Sequence, residues 1–239
     1  MSLENQRVVI VGGSSGIGLA AARRLVAAAA KVIVVGRSAE KLAAAQEALG
    51  GFAVTRSADL ADASAARELF DNLGPIDHLV ITAGGSPAWG PFLELEPEAL
   101  RNAFDAKFWA HFHAARYGAP RLHRNGSIIF VTGGAARAAL PGTAGLAAVN
   151  GAIQAMARTL ARELAPVRVN VLSPGFTDTP AYAGMPDDAR AALYERMADA
   201  ALVRRVGTAD EIADAIVFLL ANGFTTGAVL DVDGGRRLT

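Results

Sequence analysis

The chain has 239 residues, 52% of them hydrophobic and 19% charged, with 23 basic and 23 acidic side chains and no cysteine. A formal net charge of +0 excludes the basic field with which proteins attract nucleic acids or anionic membranes. The lack of cysteine excludes disulfides, a thiol nucleophile, thiolate metal sites and iron–sulfur clusters. The opening stretch has no basic region followed by a hydrophobic one, so we expect no signal peptide, no membrane span and a cytoplasmic protein.

Short runs rich in Val and Ile alternate along the chain with Ala- and Leu-rich segments of helical length. The predicted strands are Arg7–Val11, Lys31–Val35, Phe52–Thr55, His78–Thr82, Ser127–Thr132, Val167–Leu172 and Ala228–Asp231. The predicted helices are Gly16–Ala29, Ala39–Leu49, Ala61–Asn72, Glu98–Gly118, Ala144–Ala165 and Thr208–Ala221. Apolar runs with few polar interruptions are typical of strands covered on both faces. The alternation therefore predicts an α/β fold, a doubly wound parallel sheet of about seven strands with helices on both faces.

Turn and cap signals support these boundaries. Gly50-Gly51, Gly74-Pro75 and Asn125-Gly126 predict turns before strands, and Thr208–Glu211 has the capping-box pattern of a helix start. No linker, low-complexity tract or short repeat interrupts the chain, so residues 1–239 are predicted to form a single domain. The irregular stretch 175–204, with a short amphipathic helix near Asp187–Met197, is predicted to be a flap over a site.

A glycine-rich turn follows the first predicted strand and opens the first helix. Its residues are Gly12, Gly13, Ser14, Ser15, Gly16, Ile17 and Gly18. Glycines there permit a tight turn and let backbone N–H groups approach a pyrophosphate, while the helix N-terminus supplies roughly half a positive charge. The alternative is a plain glycine-rich turn, but the position in an alternating chain favours a Rossmann-like dinucleotide site.

The end of the second predicted strand distinguishes the nucleotide cofactors. An acidic residue at this place would hold a ribose 2′-hydroxyl, whereas this chain has Gly36, Arg37 and Ser38. Arg37 with Ser38 can hold a 2′-phosphate, and a charge-assisted contact of about 1.5–3 kcal/mol gives an approximately ten- to hundred-fold preference for NADP(H). The alternative for Arg37 is a solvated surface residue.

From about Arg7 to Gly235 the chain resembles the short-chain dehydrogenase/reductase family. Gly12, Gly16 and Gly18 match its glycine loop, although Val11 stands where the family usually has Thr. Further matches are Asp59-Leu60, Thr82-Ala83-Gly84, Arg168-Val169-Asn170, Pro174-Gly175, Thr177, Thr179, Arg205–Gly207, Asp210–Ala213 and Val232–Gly235. The resemblance implies that Asp59 and Leu60 lie near the adenine, that Thr82, Ala83 and Gly84 bind the cofactor, and that Pro174, Gly175, Thr177 and Thr179 line the nicotinamide and pyrophosphate.

The resemblance also implies four catalytic positions, which the family fills with Tyr, Lys, Ser and Asn. In the family, Tyr transfers the proton, Lys lowers the Tyr pKa and holds the ribose, Ser orients the carbonyl, and Asn fixes a water. Here the four positions fall on Leu146, Asn150, Gly133 and Lys107, respectively. The chain has only Lys31, Lys41 and Lys107, and only Tyr117, Tyr182 and Tyr194, so no register restores Tyr-x-x-x-Lys. We therefore predict an atypical branch of the family.

Lys107 is the predicted catalytic replacement. The resemblance implies that its helix packs beside the helix of the missing Tyr and Lys, so its ammonium could reach the ribose or a substrate oxygen. Partial burial would lower its pKa from about 10.4 and make it a proton donor. The alternative is a snorkelling or ion-paired structural lysine. Asn150 is expected to bond the nicotinamide ribose.

Other candidates are weaker. Thr132 is predicted to replace the Ser hydroxyl, with a structural strand-end residue as the alternative. Tyr182 on the flap could swing over a substrate or be an ordinary lid aromatic. His111 lies one helical turn from Lys107, but we expect it at a subunit interface. Because His111 and His113 are two residues apart and on different helix faces, we expect no metal pair.

Two functions remain open, an NADP(H)-dependent oxidoreductase for a small carbonyl, alcohol or imine, and a non-catalytic NADP(H)-binding module or redox sensor. The nicotinamide-side residues and the flap favour the enzyme. The pocket walls are predicted to include Phe176, Tyr182, Met185, Leu193, Met197 and the loop Gly85–Pro91 with Trp89. The resemblance implies that the helices Glu98–Gly118 and Ala144–Ala165 pair between subunits, so we expect a homodimer or homotetramer.

Overall fold

The computed structural model describes residues 2–84 and 88–239, and its main feature is a seven-stranded parallel sheet. The strands are β1 (Arg7–Val11), β2 (Lys31–Gly36), β3 (Ala53–Ser57), β4 (Ile76–Ile81), β5 (Leu122–Val131), β6 (Arg168–Pro174), β7 (Thr177–Asp178), β8 (Gly207–Thr208) and β9 (Val229–Val232). The sheet order is β3-β2-β1-β4-β5-β6-β9, and β7 pairs with β8 in a separate ribbon. The predicted doubly wound, Rossmann-like α/β fold is confirmed.

Helices cover both faces of the sheet. They are α1 (Gly16–Ala27), α2 (Ala39–Ala48), α3 (Ala63–Leu73), α4 (Pro97–Ala103), α5 (Ala110–Gly118), α6 (Ala144–Glu163), α7 (Asp187–Ala200) and α8 (Ala209–Ala221). In β1, Val8 and Ile10 pack in the core beneath α1, α2 and α8, while Val9 and Val11 pack in the core beneath α3 to α6. Each buried side chain of this size contributes about 1.5–3 kcal/mol, which explains why the strand is apolar throughout.

Helix starts follow the sequence signals. Thr208 Oγ1 accepts from the Glu211 backbone N–H at 3.2 Å, and the Glu211 carboxylate accepts from the Thr208 N–H at 2.9 Å, which completes the predicted capping box of α8. Arg205 also bonds this carboxylate, and together these donors lower the pKa of Glu211 to about 2. The start of α8 is therefore defined by local polar contacts.

The segment predicted as one helix, Glu98–Gly118, is interrupted. The π-helical turn Phe104–Trp109 separates α4 from α5 and contains Lys107. Such turns insert an extra residue into the helical repeat and are frequent at functional sites. Sequence periodicity did not reveal this turn.

Two further local predictions were confirmed in part. Asn125-Gly126 falls within the range of β5 rather than before it, but it lies at the register shift between Ile76 and His78, and regular pairing with β4 resumes at Ser127. The helix predicted near Asp187–Met197 is α7, and although none of its residues is fully buried, the half-buried Leu193, Tyr194 and Met197 lie on one face of it. The paired glycines Gly50-Gly51 do form a turn, both with positive φ.

The strand order reverses between β1 and β4. From β1 the sheet runs through β2 and β3 on one side and through β4, β5, β6 and β9 on the other. At such a switch point the connections leave the carboxyl ends of the two central strands in opposite directions and open a crevice. The glycine-rich turn after β1 and the Thr82–Gly84 segment after β4 lie at this crevice.

Candidate functional site

The glycine-rich turn fits tightly against the end of β4. Gly12 has a φ of +82°, and a Cβ there would lie 2.8 Å from Thr82 Oγ1. A Cβ on Gly18, in the first turn of α1, would collide with the Gly12 carbonyl and lie 2.7 Å from the same hydroxyl. Thr82 Oγ1 in turn donates to the Val11 carbonyl at 2.9 Å. Neither glycine can be replaced without moving the backbone of the turn.

A cleft of about 580 Å³ opens above this turn. Most of the predicted cofactor residues line it, namely Gly12, Ser14, Ser15, Gly16, Ile17, Gly18, Gly36, Arg37, Ser38, Asp59, Leu60, Thr82, Ala83, Gly84 and Thr179. Its walls also include residues that the sequence did not single out, namely Lys41, Ala44, Ala58, Ala106, Ala110, Pro180 and Ala181. Residues from six separate segments therefore meet in one crevice at the carboxyl ends of β1, β2 and β4.

One end of the cleft carries two cations. Arg37 and Lys41 are exposed, line the cleft and take part in no ion pair within residues 2–84 and 88–239. Ser38 caps α2, since its hydroxyl accepts from the Lys41 N–H at 3.2 Å. Lys41 escaped the sequence analysis, although it follows Arg37 by four residues in the first turn of α2. This end of the cleft, the cation corner, therefore carries two positive charges that could bind an anionic group.

Asp59 and Leu60 follow β3. Asp59 Oδ1 accepts from the Ala61 N–H at 3.1 Å, which fixes the carboxylate at the cleft edge. Leu60 is buried, and its carbonyl accepts from His113 Nδ1 at 2.9 Å. The loop after β3 therefore holds Asp59 in place, and α5 holds Leu60 through His113.

Four predicted cofactor residues do not line the cleft. Pro174 is buried at the end of β6, and Thr177 is also buried and donates to the Gly175 carbonyl at 3.0 Å. A Cβ on Gly175 would lie 2.6 Å from Asp233 Cα, which places this turn against the C-terminal segment. Asn150 is the fourth. Thr179, by contrast, lies at the cleft wall beside Gly16.

The catalytic positions of the family meet at the end of β5. Lys107 Nζ donates to the Thr132 carbonyl at 3.1 Å, one residue before Gly133. A Cβ on Gly133 would lie 3.2 Å from Asn150 Nδ2 of α6. Leu146, one turn earlier on α6, is half-buried. The structure therefore brings Lys107 and Asn150 to the same strand end from two different helices.

Two features make this strand end chemically unusual. Burial lowers the pKa of Lys107 from 10.5 to about 8, because the interior solvates an ammonium poorly. Asn150 is 4% exposed, and its Oδ1 has no hydrogen-bond partner among the residues described. A buried carbonyl oxygen without a donor is costly and marks a place where a ligand hydroxyl could bond.

Thr132 is oriented by structural contacts. Its hydroxyl donates to the Leu172 carbonyl at 3.4 Å and accepts from Gln154 Nε2 at 3.2 Å. Since both neighbours belong to the protein, the hydroxyl is already engaged. The geometry favours the structural alternative for Thr132, while its backbone carbonyl is the atom that meets Lys107.

The expected interface position of His111 was wrong. Its side chain is 0% exposed and lies inside the subunit, between α5 and the sheet. Nδ1 donates to the Lys107 carbonyl at 2.8 Å, and Nε2 lies 3.3 Å from the Val131 carbonyl. His113 points elsewhere, toward Leu60 and the ring of Trp109. The two histidines are thus on different faces, as predicted.

Aromatic side chains cluster in the 175–204 segment. The Phe176 ring lies 4.8 Å from that of Tyr182 and 5.3 Å from that of Tyr194, whose hydroxyl donates to Asp178 Oδ1. Burial raises the pKa of Tyr182, which disfavours its use as an acid. Gly85, Ser86 and Pro87 of the other predicted wall lie outside the described residues, and Trp89 is 55% exposed.

Across residues 2–84 and 88–239, no helix is long and apolar enough to span a membrane. Within the same ranges, no three side chains of His, Asp or Glu gather as metal ligands.

Comparisons with known proteins agree with this geometry. A family model described as enoyl-(acyl carrier protein) reductase matches residues 11–237. Short-chain dehydrogenase/reductase ATR9 of Stachybotrys chlorohalonatus is 33% identical over 99% of this chain and 99% of its own. The 3-oxoacyl-(acyl-carrier-protein) reductase MabA of Mycobacterium tuberculosis is 33% identical over 98% of this chain and 94% of its own.

Solved structures show the same likeness. The crystal structure of a small-chain dehydrogenase in complex with NADPH is 36% identical, covers 99% of this chain and 100% of its own, and gives a TM-score of 0.85. The family model and this solved structure each match nearly the whole chain. The chain belongs to the short-chain dehydrogenase/reductase family.

Proposed function

We propose that the protein is an NADP(H)-dependent oxidoreductase of an atypical branch, which transfers hydride to or from a small carbonyl, alcohol or imine without Tyr-x-x-x-Lys. The observation that carries the proposal is the meeting of Lys107 and Asn150 at the end of β5. The names of the relatives, dehydrogenases and reductases, support an oxidoreductase. The relative in complex with NADPH supports the choice of cofactor.

The residues present fit a dinucleotide. The cleft is large enough for an extended ligand, and its floor is the glycine turn. Asn150 lies outside the cleft wall, at the end of β5, where its buried and unbonded Oδ1 would accept from a ribose hydroxyl. Backbone N–H groups of the turn would hold the pyrophosphate, Arg37 and Lys41 the 2′-phosphate, and Asp59 the adenine amine. When bound, NADPH supplies the hydride.

Lys107 would supply the proton. With a pKa near 8 it is mostly protonated at neutral pH, yet it releases its proton far more readily than an ordinary lysine. An ammonium in this buried place also stabilises negative charge that develops on a substrate oxygen. Leu146 takes no part in proton transfer, and its apolar side chain would limit access of water to the same place.

The second candidate function, a non-catalytic NADP(H)-binding module, has its own support. The Lys107 ammonium is bonded to a backbone carbonyl, and the Thr132 hydroxyl is engaged inside the protein. Cofactor binding would survive without any proton donor, and occupancy could then act as a redox sensor or a stabiliser. The enzyme is preferred because the low pKa of Lys107 suits acid–base chemistry.

We further propose that residues 1–239 act as one cofactor-binding domain and that residues 175–204 form the flap. A homodimer or homotetramer would use α6 and the segment Glu98–Gly118, where Trp109 of the π-helical turn and Phe112 of α5 form a partly exposed aromatic face. Light scattering at micromolar concentration tests this, since a monomer would contradict it.

The test of function is transfer of deuterium from 4-deuterated NADPH to a panel of small aldehydes, ketones and imines, read by mass spectrometry. Wild type should label at least one product, and Lys107→Met should lower the rate by about 10²–10⁴ with NADPH binding retained. Lys31→Met, an exposed lysine at the start of β2, is the matched control and should match wild type. NADPH binding without transfer to any panel member would favour the non-catalytic module.

A further inference from the structure

The main chain of Lys107 is held by a side chain rather than by the helix alone. Lys107 lies in the π-helical turn Phe104–Trp109, where the regular helical bonding pattern is interrupted. Its carbonyl oxygen accepts a hydrogen bond from Nδ1 of His111 at 2.8 Å. This is a short bond made by a fully buried donor, so it is shielded from competition by water.

His111 connects this turn to the sheet. Its Nε2 lies 3.3 Å from the Val131 carbonyl, and its ring stacks on Phe130 with centroids 6.1 Å apart. Both contacts are with the last residues of β5. The imidazole therefore fills the space between the Lys107 turn and the strand end where the catalytic positions meet.

Lys107 is thus fixed to β5 at two points. Its carbonyl accepts from His111, whose buried ring packs against Phe130 of β5, and its Nζ donates directly to the Thr132 carbonyl. A flexible lysine chain has many rotamers, and an ammonium held at one place requires its backbone to be held as well. Two neighbouring attachment points define the direction in which the side chain leaves the turn.

The protonation state of His111 suits this role. Burial and the nearby Lys107 ammonium lower the pKa of His111 to about 3, so the ring is neutral. A neutral imidazole has one N–H, and a carbonyl can only accept, so the 2.8 Å contact assigns that N–H to Nδ1. No carboxylate of the described residues forms an ion pair with Lys107, and Asn150, which reaches the same strand end, is uncharged.

We infer that His111 is a positioning residue, which holds the π-helical turn against β5 and so places the Lys107 ammonium at the end of that strand. This inference rests on the catalytic role proposed for Lys107, but the placement itself can be measured without turnover. His111 does not itself line the cleft and acts through Lys107.

The test uses the full chain labelled with [ε-¹³C]lysine, because the sequence has only three lysines and Lys107→Met assigns the third signal. In wild type the Lys107 signal should titrate near pH 8. His111→Leu cannot donate to Lys107, so the turn should loosen, the ammonium gain water and the midpoint rise by about one pH unit or more. His113→Leu, on the same helix but bonded to Leu60, is the matched control and should leave the midpoint unchanged.

Two conservative variants separate positioning from simple packing. The Asn amide nitrogen occupies the place of imidazole Nδ1, so His111→Asn should keep the bond to Lys107 and the low midpoint. The Gln amide nitrogen corresponds to Nε2, so His111→Gln should shift the midpoint as His111→Leu does. If His111→Leu fails to fold, the comparison of His111→Asn with His111→Gln tests the inference by itself. Equal midpoints in wild type, Asn and Gln variants would overturn the inference.

Failure of the two proposals can be told apart. If Lys107→Met leaves deuterium transfer unchanged while His111→Gln still shifts the lysine midpoint, His111 positions a residue that is not catalytic, and only the proposed function falls. If Lys107→Met abolishes transfer and no His111 variant moves the midpoint, only the positioning role falls.

Discussion

The two ends of the proposed active site obey different constraints. At the nucleotide end, in the cleft, Gly12 and Gly18 lie so close to Thr82 and to each other that any side chain would displace backbone. At the proposed catalytic end, beside the cleft at the end of β5, the four positions that the resemblance assigns to catalysis hold Gly133, Leu146, Asn150 and Lys107, and the sheet beneath them is intact. Where the backbone itself binds the ligand, close packing restricts a position to glycine. Where side chains carry the chemistry, the residue type can change while the fold is preserved.

The proposed catalytic end differs from the pattern that the resemblance implies. The resemblance places a lysine on the helix that is α6 here and an asparagine on the segment that carries Lys107. If these positions are matched correctly, the two residue types are exchanged in this chain, as Asn150 and Lys107. Both still reach the end of β5, so a positive charge and an amide remain near that strand end but come from opposite helices.

The largest expected effect tests the rigid end. In Gly18→Ala the new Cβ collides with the Gly12 carbonyl, so we predict loss of NADPH binding and a loss of about 1–3 kcal/mol of stability. Gly151→Ala in α6 is the matched control, because a Cβ there meets no atom within 4 Å. It should bind normally and gain about 0.5–1 kcal/mol from helix propensity. Calorimetric titration and urea unfolding of both variants measure this, and equal NADPH affinity would contradict it.

The next largest effect is the pH dependence of stability that the buried Lys107 causes at the proposed catalytic end. The pKa of Lys107 is about 8 when folded against an ordinary 10.5, so the unfolded chain binds a proton that the folded protein has released between these values. The free energy of unfolding of wild type should therefore rise, relative to Lys107→Met, by up to about 3 kcal/mol from pH 8 to 10.5. Below pH 8 the penalty of the buried charge is fully present, and Lys107→Met should be the more stable. A stability difference that is independent of pH in urea unfolding would refute the prediction.

The cation corner should give a smaller effect. Arg37→Ala removes one charge-assisted contact, so we predict that the preference for NADPH over NADH falls about ten- to hundred-fold. Lys41→Ala should lower the preference less, since a lysine lacks the bidentate geometry of arginine. Arg56→Ala on β3 is the matched control, because Arg56 does not line the cleft. If Arg37→Ala leaves the preference for NADPH unchanged, Arg37 is a solvated surface residue that does not contact the 2′-phosphate.

The smallest effect concerns Thr132. Thr132→Val keeps the shape and the backbone carbonyl that Lys107 bonds, and removes a hydroxyl that serves Leu172 and Gln154. We predict a loss of about 1 kcal/mol in stability and no change in NADPH affinity. A large fall in deuterium transfer at normal stability would instead make the hydroxyl catalytic.

Local signals predicted one end of the cleft well. The strands and the turn after β1 follow from apolar runs and glycine spacing, which depend on neighbours in sequence. The direction of His111 and the π-helical turn around Lys107 depend on contacts with β5, some twenty residues away, so periodicity could not reveal them. Asn125-Gly126 is an intermediate case, since this turn pair lies at the irregular stretch of β5 between the residues that pair with Ile76 and His78 of β4.

The most direct test of the central claim is a calorimetric titration of the wild-type protein with NADPH and, in parallel, with NADH. An intact nucleotide end with Arg37 and Lys41 at its corner predicts saturable binding of NADPH at least about ten-fold tighter than that of NADH. No binding of either nucleotide would contradict the claim, because the backbone-built cleft would then lack the ligand that its geometry is proposed to fit.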